Sequence, residues 1–139
     1  MITDVFELRP RYGEVDKMGY VYHANYVTYC HQARNELLRK IGLDEVNLEK
    51  NHIMLPVISF DIKYKKPAHY DEQIIIKTTI KKMPKVRFSL EFEIKNEQNI
   101  LLSEAKSTVV FVDSQSRSPK NVPRFIEKIL ETNFENSSA

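Results

Sequence analysis

Asp16, His23 and Tyr12 are the residues of this chain whose types and spacing best suit chemistry. Tyr12 lies four residues before Asp16, and His23 follows it by seven. An aspartate can deprotonate water or attack an acyl carbon directly, and a histidine exchanges hydrogen bonds and protons near neutral pH. If the chain folds back at this point, all three side chains converge. The segment from Arg11 to Tyr26 is therefore the candidate site.

Each of these residues also has a structural explanation when taken singly. Asp16 suits a capping or turn carboxylate, His23 suits a solvated position near a helix start, and the nearby tyrosines suit packing. Asn25 is a good helix cap, and Gly19 suits either a turn or the close approach of a ligand. The functional interpretation gains weight because backbone N–H groups at a helix start stabilise negative charge that develops on a substrate.

A long amphipathic helix is predicted directly after this segment, from Asn25 to Ile41. Its apolar residues recur at helical spacing: Val27, Cys30, Ala33, Leu37, Leu38 and Ile41. Gly42 occupies the position of a C′ glycine, and Arg39 and Lys40 complement the negative end of the helix dipole. Because Cys30 belongs to the apolar stripe, we interpret it as a small core residue and not as a nucleophile.

Alternation with period two dominates much of the remaining chain and predicts strands. One strand precedes the candidate site and four follow the helix, at about residues 3–11, 58–65, 74–80, 88–95 and 100–112. Because consecutive strands joined by short turns pair antiparallel, we expect one sheet with an apolar face and a charged face. An apolar helix packed on the apolar face gives an α+β fold in which the sheet wraps around the helix.

A connector and a C-terminal helix complete the predicted organisation. The connector, from about 43 to 55, holds a short helical turn, and the final helix runs from Val122 to Glu131. A chain of 139 residues suits one domain. We therefore predict a single domain over residues 1–139, with residues 133–139 frayed.

Composition argues against several classes of function. The formal net charge of +2 is too weakly basic to favour nucleic-acid binding. One cysteine rules out an intrachain disulfide and fits a reducing cytoplasm. The sequence contains neither a signal peptide nor an apolar run long enough to span a bilayer, so we expect a soluble cytoplasmic protein. It also lacks a metal-ligand spacing and a phosphate-binding glycine loop.

Basic residues are scattered along the predicted strands and turns. Most of them suit a solvated surface, which is the ordinary place for lysine and arginine. Lys85 and Arg87 flank a turn, and we consider this pair a candidate contact for a phosphorylated carrier such as coenzyme A.

Three groups of motifs form a pattern that covers nearly the whole chain. They are Tyr12, Glu14-x-Asp16 and Gly19-x-Val21-Tyr22-His23-Ala24-Asn25-Tyr26; Ala33-Arg34-x-Glu36 with Gly42; and Tyr64-x-x-Pro67-Ala68-x-Tyr70-Asp71, followed by Val122-Pro123. This pattern resembles that of the hotdog-fold acyl-CoA thioesterases. The most similar branch is the 4-hydroxybenzoyl-CoA thioesterase-like group, which includes the Tol-Pal-associated short-chain acyl-CoA thioesterases.

The resemblance implies a long helix wrapped by a five- or six-stranded antiparallel sheet, in a homodimer or homotetramer with the site at the dimer interface. It implies Asp16 as the catalytic carboxylate with His23 and Tyr12 as partners, and neither a metal nor a redox cofactor. Related enzymes polarise the thioester carbonyl with a backbone N–H before the second strand, where this chain has Met54-Leu55-Pro56 and no glycine. The candidate substrate contacts are Gly19, Tyr22, Asn25, Leu55, Lys85 and Arg87.

Hydrolysis of an acyl-CoA thioester is the function that these expectations favour. Asp16 then acts either as the nucleophile or as the base that activates water, and the sequence leaves both roles open. The alternatives are hydrolysis of an acyl group on acyl-carrier protein, hydration of an acyl thioester, and a non-catalytic module that binds acyl carriers. The identity of the acyl group stays open.

Overall fold

An antiparallel sheet wrapped around one long helix forms the centre of the structure, a computed structural model that describes residues 1–138. The helices are α1 (Asn25–Lys40), α2 (Glu45–Lys50) and α3 (Arg124–Ser138). The strands are β1 (Ile2–Leu8), β2 (Ile53–Met54), β3 (Val57–Tyr64), β4 (Ile74–Ile80), β5 (Arg87–Asn96), β6 (Leu101–Val110) and β7 (Val112–Asp113). The predicted α+β architecture is confirmed, and it is the fold that the family resemblance implies.

The main sheet has the strand order β1-β4-β5-β6-β3, and every neighbouring pair is antiparallel. The expectation that consecutive strands pair in sequence is wrong for β3 and β4, because β3 pairs with β6 and β4 with β1. The connection 65–73 explains the difference. Its Ala68 N–H donates to the Tyr26 hydroxyl (3.2 Å), and its Asp71 N–H donates to the Pro10 carbonyl (3.0 Å). These bonds carry the chain past the start of α1 to the far side of the sheet.

One face of α1 packs on the apolar face of the sheet. Ala33, Leu37 and Leu38 are buried as the spacing predicts, and each large apolar side chain buried in this way contributes about 1.5–3 kcal/mol. Val27 is 46% exposed, so its predicted place in the core is wrong. The buried face is rotated toward Tyr26 and Tyr29, which leaves Val27 on the side of the helix that faces the edge of β3.

The two ends of α1 differ in how they are closed. At the C-terminal end, Gly42 has φ +89° and its N–H donates to the Arg39 carbonyl (3.1 Å), which confirms the predicted glycine termination. At the N-terminal end, the cap position belongs to Ala24, and no side chain of residues 1–138 accepts a hydrogen bond there. The expectation that Asn25 caps the helix is wrong, because its side-chain amide donates to the Glu14 carbonyl instead (2.8 Å).

The C-terminal helix starts later and extends further than predicted. It begins at Arg124 and continues to Ser138, through most of the tail that we expected to be frayed. Ile126 and Leu130 are buried and Phe134 packs partly against the core, so one apolar face continues at a spacing of four residues. Ala139 lies outside the described residues. Within residues 1–138, no helix is both long and apolar enough to cross a bilayer.

The last predicted strand is divided into β6 and β7. β7 leaves the main sheet and pairs with β2 in a separate two-stranded ladder. The short helical turn expected in the connector is α2, which is capped by the Asp44 side chain accepting from the Asn47 N–H (3.0 Å).

The edge of the sheet formed by β3 is open in the described chain. β3 pairs with β6 on one side and with no other strand of residues 1–138. Val57, Ile58 and Tyr64 on this strand are 51%, 49% and 49% exposed. An edge strand that presents apolar side chains is a surface suited to pairing with another chain.

Candidate active site

Asp16 lies in a tight loop that its own carboxylate holds closed. Its Oδ1 accepts hydrogen bonds from the backbone N–H groups of Met18 (2.9 Å) and Tyr20 (3.2 Å). Gly19, at φ +81°, donates its N–H to the Asp16 carbonyl (3.0 Å). The second carboxylate oxygen, Oδ2, has no hydrogen-bond partner among residues 1–138. One oxygen therefore fixes the loop, and the other is available for chemistry.

This loop opens onto a cleft at the N-terminal end of α1. The cleft has a volume of about 420 Å³, and its walls include Asp16, His23, Tyr26, Tyr64, Lys65 and Pro67. The loop is attached to the connection 65–73 by a hydrogen bond from the Val21 N–H to the Ala68 carbonyl (2.8 Å). The two principal candidates, Asp16 and His23, thus lie on the same cleft.

Aromatic side chains surround His23. Its ring centroid is 4.5 Å from that of Tyr22 and 6.4 Å from that of Tyr64. The Tyr64 hydroxyl donates to the His23 carbonyl (3.1 Å), and burial raises the pKa of Tyr64, so this hydroxyl stays protonated near neutral pH. Sequence reasoning gave Tyr64 no role at the site. Tyr64 ends a strand of alternating apolar residues, and that pattern does not indicate that the start of α1 packs beside it.

Glu14 accepts four hydrogen bonds, and two of them, from Asn25 and Tyr29, connect the Asp16 loop to α1. Its Oε1 accepts from the Arg11 N–H (2.7 Å) and from the Tyr29 hydroxyl (2.9 Å). Its carbonyl accepts from the Tyr22 N–H (2.9 Å) and from the Asn25 side chain (2.8 Å). Burial is the larger cause, and the hydrogen bond to Glu14 the second, of a pKa of Tyr29 well above its usual value. The segment before Asp16 is therefore fixed to the buried face of the helix.

We expect Tyr29→Phe to lower the free energy of unfolding by about 1.5 kcal/mol, near the low end for a hydrogen bond to a charged group. The substitution removes the donor to Glu14 and leaves the Arg11 N–H bond in place. Urea denaturation measures the change. Tyr12→Phe is the matched control, because the Tyr12 side chain is 81% exposed. Equal losses in the two variants would contradict the structural role of the Tyr29 hydroxyl.

Several predicted site residues lie outside the cleft within one chain. The Tyr12 ring packs edge-on against Tyr70 with centroids 5.9 Å apart, and Tyr22 is half exposed beside His23. Asn25 has its side chain committed to the Glu14 carbonyl. Gly19 shapes the loop, and a Cβ at that position would meet no atom of the described residues within 4 Å.

The remaining candidates lie at the opposite end of the sheet from Asp16. Tyr64, at the cleft, pairs with Ser103, whereas Arg87 pairs with Val110, seven residues further along β6. Arg87 lines a basic depression with Lys81, Lys82 and Lys106. Lys85 accepts a backbone hydrogen bond from Val122 (2.6 Å), and Leu55 lines a cavity beside α2. One chain alone does not bring these residues to Asp16.

The described residues contain neither a metal-binding cluster nor an accessible thiol. Within residues 1–138, no group of three histidine, cysteine, aspartate or glutamate side chains is placed to hold a metal ion. Cys30 is 1% exposed, and burial raises the pKa of its thiol to about 12. Its interpretation as a small core residue is confirmed.

The sheet wrapped around α1, with a carboxylate loop leading into that helix, defines a hotdog-fold protein. The sequence model of the thioesterase-like superfamily matches residues 10–130, and the chain belongs to this superfamily.

Individual relatives match over most of their lengths. The chain is 33% identical over 128 residues to the acyl-CoA thioester hydrolase YbgC of Escherichia coli strain CFT073, covering 91% of this chain and 96% of the relative. It is 32% identical over 130 residues to the acyl-CoA thioesterase YbgC of Helicobacter pylori strain 26695, covering 88% and 96%. The crystal structure of a DHNA-CoA thioesterase from Staphylococcus aureus superposes with a TM-score of 0.87 at 29% identity, covering 99% of this chain and 92% of that one.

Proposed function

We propose that this protein hydrolyses acyl-CoA thioesters to a free acid and coenzyme A, with Asp16 as the catalytic carboxylate. The observation that carries the proposal is the Asp16 loop. Two backbone N–H groups hold Oδ1, and the carboxylate borders a cleft that it shares with His23 in front of α1. The names of the E. coli and H. pylori relatives support the substrate class.

Two chemical routes start from this arrangement. In the first, Asp16 removes a proton from water while the water oxygen attacks the thioester carbon, and the C–S bond then breaks to release the thiolate. In the second, the carboxylate attacks the carbon itself, the thiolate leaves, and water hydrolyses the resulting anhydride. In both, the thiolate takes up a proton and the acid is released. Since a thiolate leaves readily, neither route needs a strong acid or a metal, and we propose that the enzyme uses no cofactor.

The developing oxyanion requires stabilisation by positioned donors. We assign this task to the dipole at the N-terminal end of α1, together with a backbone N–H group of the segment before β3 in a second copy of the chain. His23 then orients the thioester beside Asp16. Its ring is restrained by Tyr22 and its backbone by the Tyr64 hydroxyl, so it is preorganised for that role.

We propose that the site is completed in a homodimer formed through the open edge of β3, either alone or within a tetramer. Two identical edge strands related by a two-fold axis in one continuous sheet pair antiparallel. The Tyr64 end of one strand then lies beside the Val57 end of the other. This arrangement brings the partner's Leu55 and the partner's Arg87 toward Asp16, and it supplies the contacts that one chain lacks.

A panel of acyl-CoA thioesters with short aliphatic, long aliphatic and aromatic acyl groups tests the function, with the released thiol measured by a thiol-reactive dye. We expect release from at least one class with multiple turnovers. The protein's own thiol does not interfere, because Cys30 is buried and its pKa is raised. Absence of release from every acyl-CoA would contradict the proposal.

The same samples separate the alternative functions. Acyl-carrier-protein thioesters assayed in parallel identify the carrier, since release from these alone indicates an acyl-carrier-protein thioesterase. Hydration of an enoyl-CoA without thiol release identifies a hydratase, and tight carrier binding without any turnover identifies a binding module. We place the enzyme in the cytoplasm, which agrees with its one unpaired thiol.

A further inference from the structure

Arg34 is a buried cation without a counter-ion in the described chain. It is 8% exposed, and its Nε is buried with no hydrogen-bond partner among residues 1–138. Glu45 is close enough to act on its charge, but the two form no ion pair within residues 1–138. Because burying an unpaired guanidinium is strongly unfavourable, Arg34 is suited to binding an anionic group.

An apolar groove leads to this guanidinium. The groove has a volume of about 140 Å³ and lies between α1 and β3, with Val27, Cys30, Phe60 and Phe92 in its walls. Arg34 and His31 provide basic groups in the same groove. Burial, and then repulsion from Arg34, lower the pKa of His31, so this imidazole is neutral near pH 7 and offers an N–H donor without a second charge.

The charges on the two sides of Arg34 decide from which side an anion approaches. The second cavity that Arg34 borders, about 410 Å³ in volume, is also lined by Asp44, Glu45 and Glu49, which repel anions. Among the residues that the structure describes, no acidic side chain lines the apolar groove. The groove is therefore the favourable side for an anionic group to approach, and a carboxylate suits the two parallel N–H donors of a guanidinium.

The groove and the candidate cleft border neighbouring residues at the start of α1. His23 and Tyr26 border the cleft, and Val27 and Cys30 on the next turns of α1 border the groove. Along the helix axis, His23 and Arg34 are separated by about 16 Å at 1.5 Å per residue. A long side chain on a helix leans back toward the N-terminus, which shortens the span between the thioester and the guanidinium.

We propose that Arg34 binds the terminal carboxylate of a medium-chain acyl group, so that the preferred substrates are ω-carboxyacyl thioesters. The acyl chain lies along α1 against Val27, Cys30 and Phe60, with its thioester at Asp16 and its far carboxylate at Arg34. This inference rests on the proposed hydrolase function for its kinetic test, but the binding of the carboxylate is measurable without turnover.

The kinetic test compares suberoyl-CoA with octanoyl-CoA, which differ in the terminal carboxylate. We expect kcat/KM for suberoyl-CoA to be at least about tenfold higher in the wild type. Arg34→Met should lower the suberoyl-to-octanoyl ratio by a factor of about 10², as expected for loss of one partner of a buried charge pair. Arg39→Met is the matched control on the same helix, because the Arg39 side chain is 59% exposed and already paired with Glu36. This variant should keep the wild-type ratio.

The binding test uses thermal melting of the wild type with octanoate or octanol, and it needs no active enzyme. We expect octanoate to raise the melting temperature by a few degrees and octanol to have a much smaller effect, with the difference absent in Arg34→Met. If no acyl-CoA is hydrolysed but octanoate stabilises selectively, the proposed function fails and the Arg34 site stands. Equal effects of the two ligands on the wild type would overturn the site. Dissociation of Arg34→Met into monomers without any ligand effect would also overturn it, and would assign the guanidinium to a subunit interface.

Discussion

We expect Asp16→Asn to lower kcat for thioester hydrolysis by a factor on the order of 10²–10⁴, with the fold intact. Asparagine retains an Oδ1 that accepts the Met18 and Tyr20 N–H bonds, so the loop keeps its shape. It lacks the negative charge that both chemical routes require. Thiol release on the acyl-CoA that the wild type hydrolyses best measures the loss, and thermal melting verifies the fold.

Two further substitutions define what the Asp16→Asn result means. Asp71→Asn is the matched control, since Asp71 is exposed at φ +59°, a conformation that asparagine tolerates, and we expect wild-type turnover. Asp16→Ala removes the loop acceptor as well as the charge and should also lower the melting temperature. Wild-type turnover in folded Asp16→Asn would exclude this carboxylate from the chemistry.

Ile58→Glu should convert the protein to monomers and lower kcat/KM by a factor of about 10² or more. Ile58 is 49% exposed at an irregularity of the open edge strand, and a two-fold interface brings two copies of this strand together. Removing a carboxylate from water at an apolar interface costs several kcal/mol, and about 2.8 kcal/mol corresponds to a factor of 10². Light scattering coupled to gel filtration measures the mass, and the thiol assay measures activity on the same fractions.

Val5→Glu is the matched control for the edge substitution. Val5 is 53% exposed on β1, at the opposite edge of the main sheet. We expect this variant to keep the β3-mediated dimer and its activity. A monomeric Ile58→Glu with wild-type turnover would show that one chain suffices for catalysis, and an Ile58→Glu that stays dimeric would exclude β3 as the interface.

Local patterns were enough to predict the elements of this fold. The helical period and Gly42 located α1 almost to the residue, and the alternation of apolar residues located β4 and β5. The pairing of β3 with β6 was not predictable in the same way. It depends on the connection 65–73 binding to Tyr26 and Pro10, which are contacts between distant parts of the chain.

The sequence predicted only part of the candidate site, because the rest depends on contacts between distant parts of the chain. Asp16 and His23 are close in sequence, and a tight turn followed by a helix places both on one cleft. Glu14 and Arg34 belong to the family pattern, but the sequence predicted no role for either, because their roles depend on burial and on what lies across the fold from them. Tyr29 supplies the buried partner of Glu14, whereas the described chain supplies none for Arg34.

The Asp16 carboxylate has a structural role and a proposed chemical role, and a single substitution separates the two. It fastens its own loop through Oδ1, and the proposed chemistry requires its charge. Because asparagine performs the structural role alone, a duplicated gene would need only one codon change to encode a folded protein that still holds a thioester without cleaving it. A single substitution in this loop could therefore convert a hydrolase into a stable protein that binds acyl thioesters as a carrier or sensor.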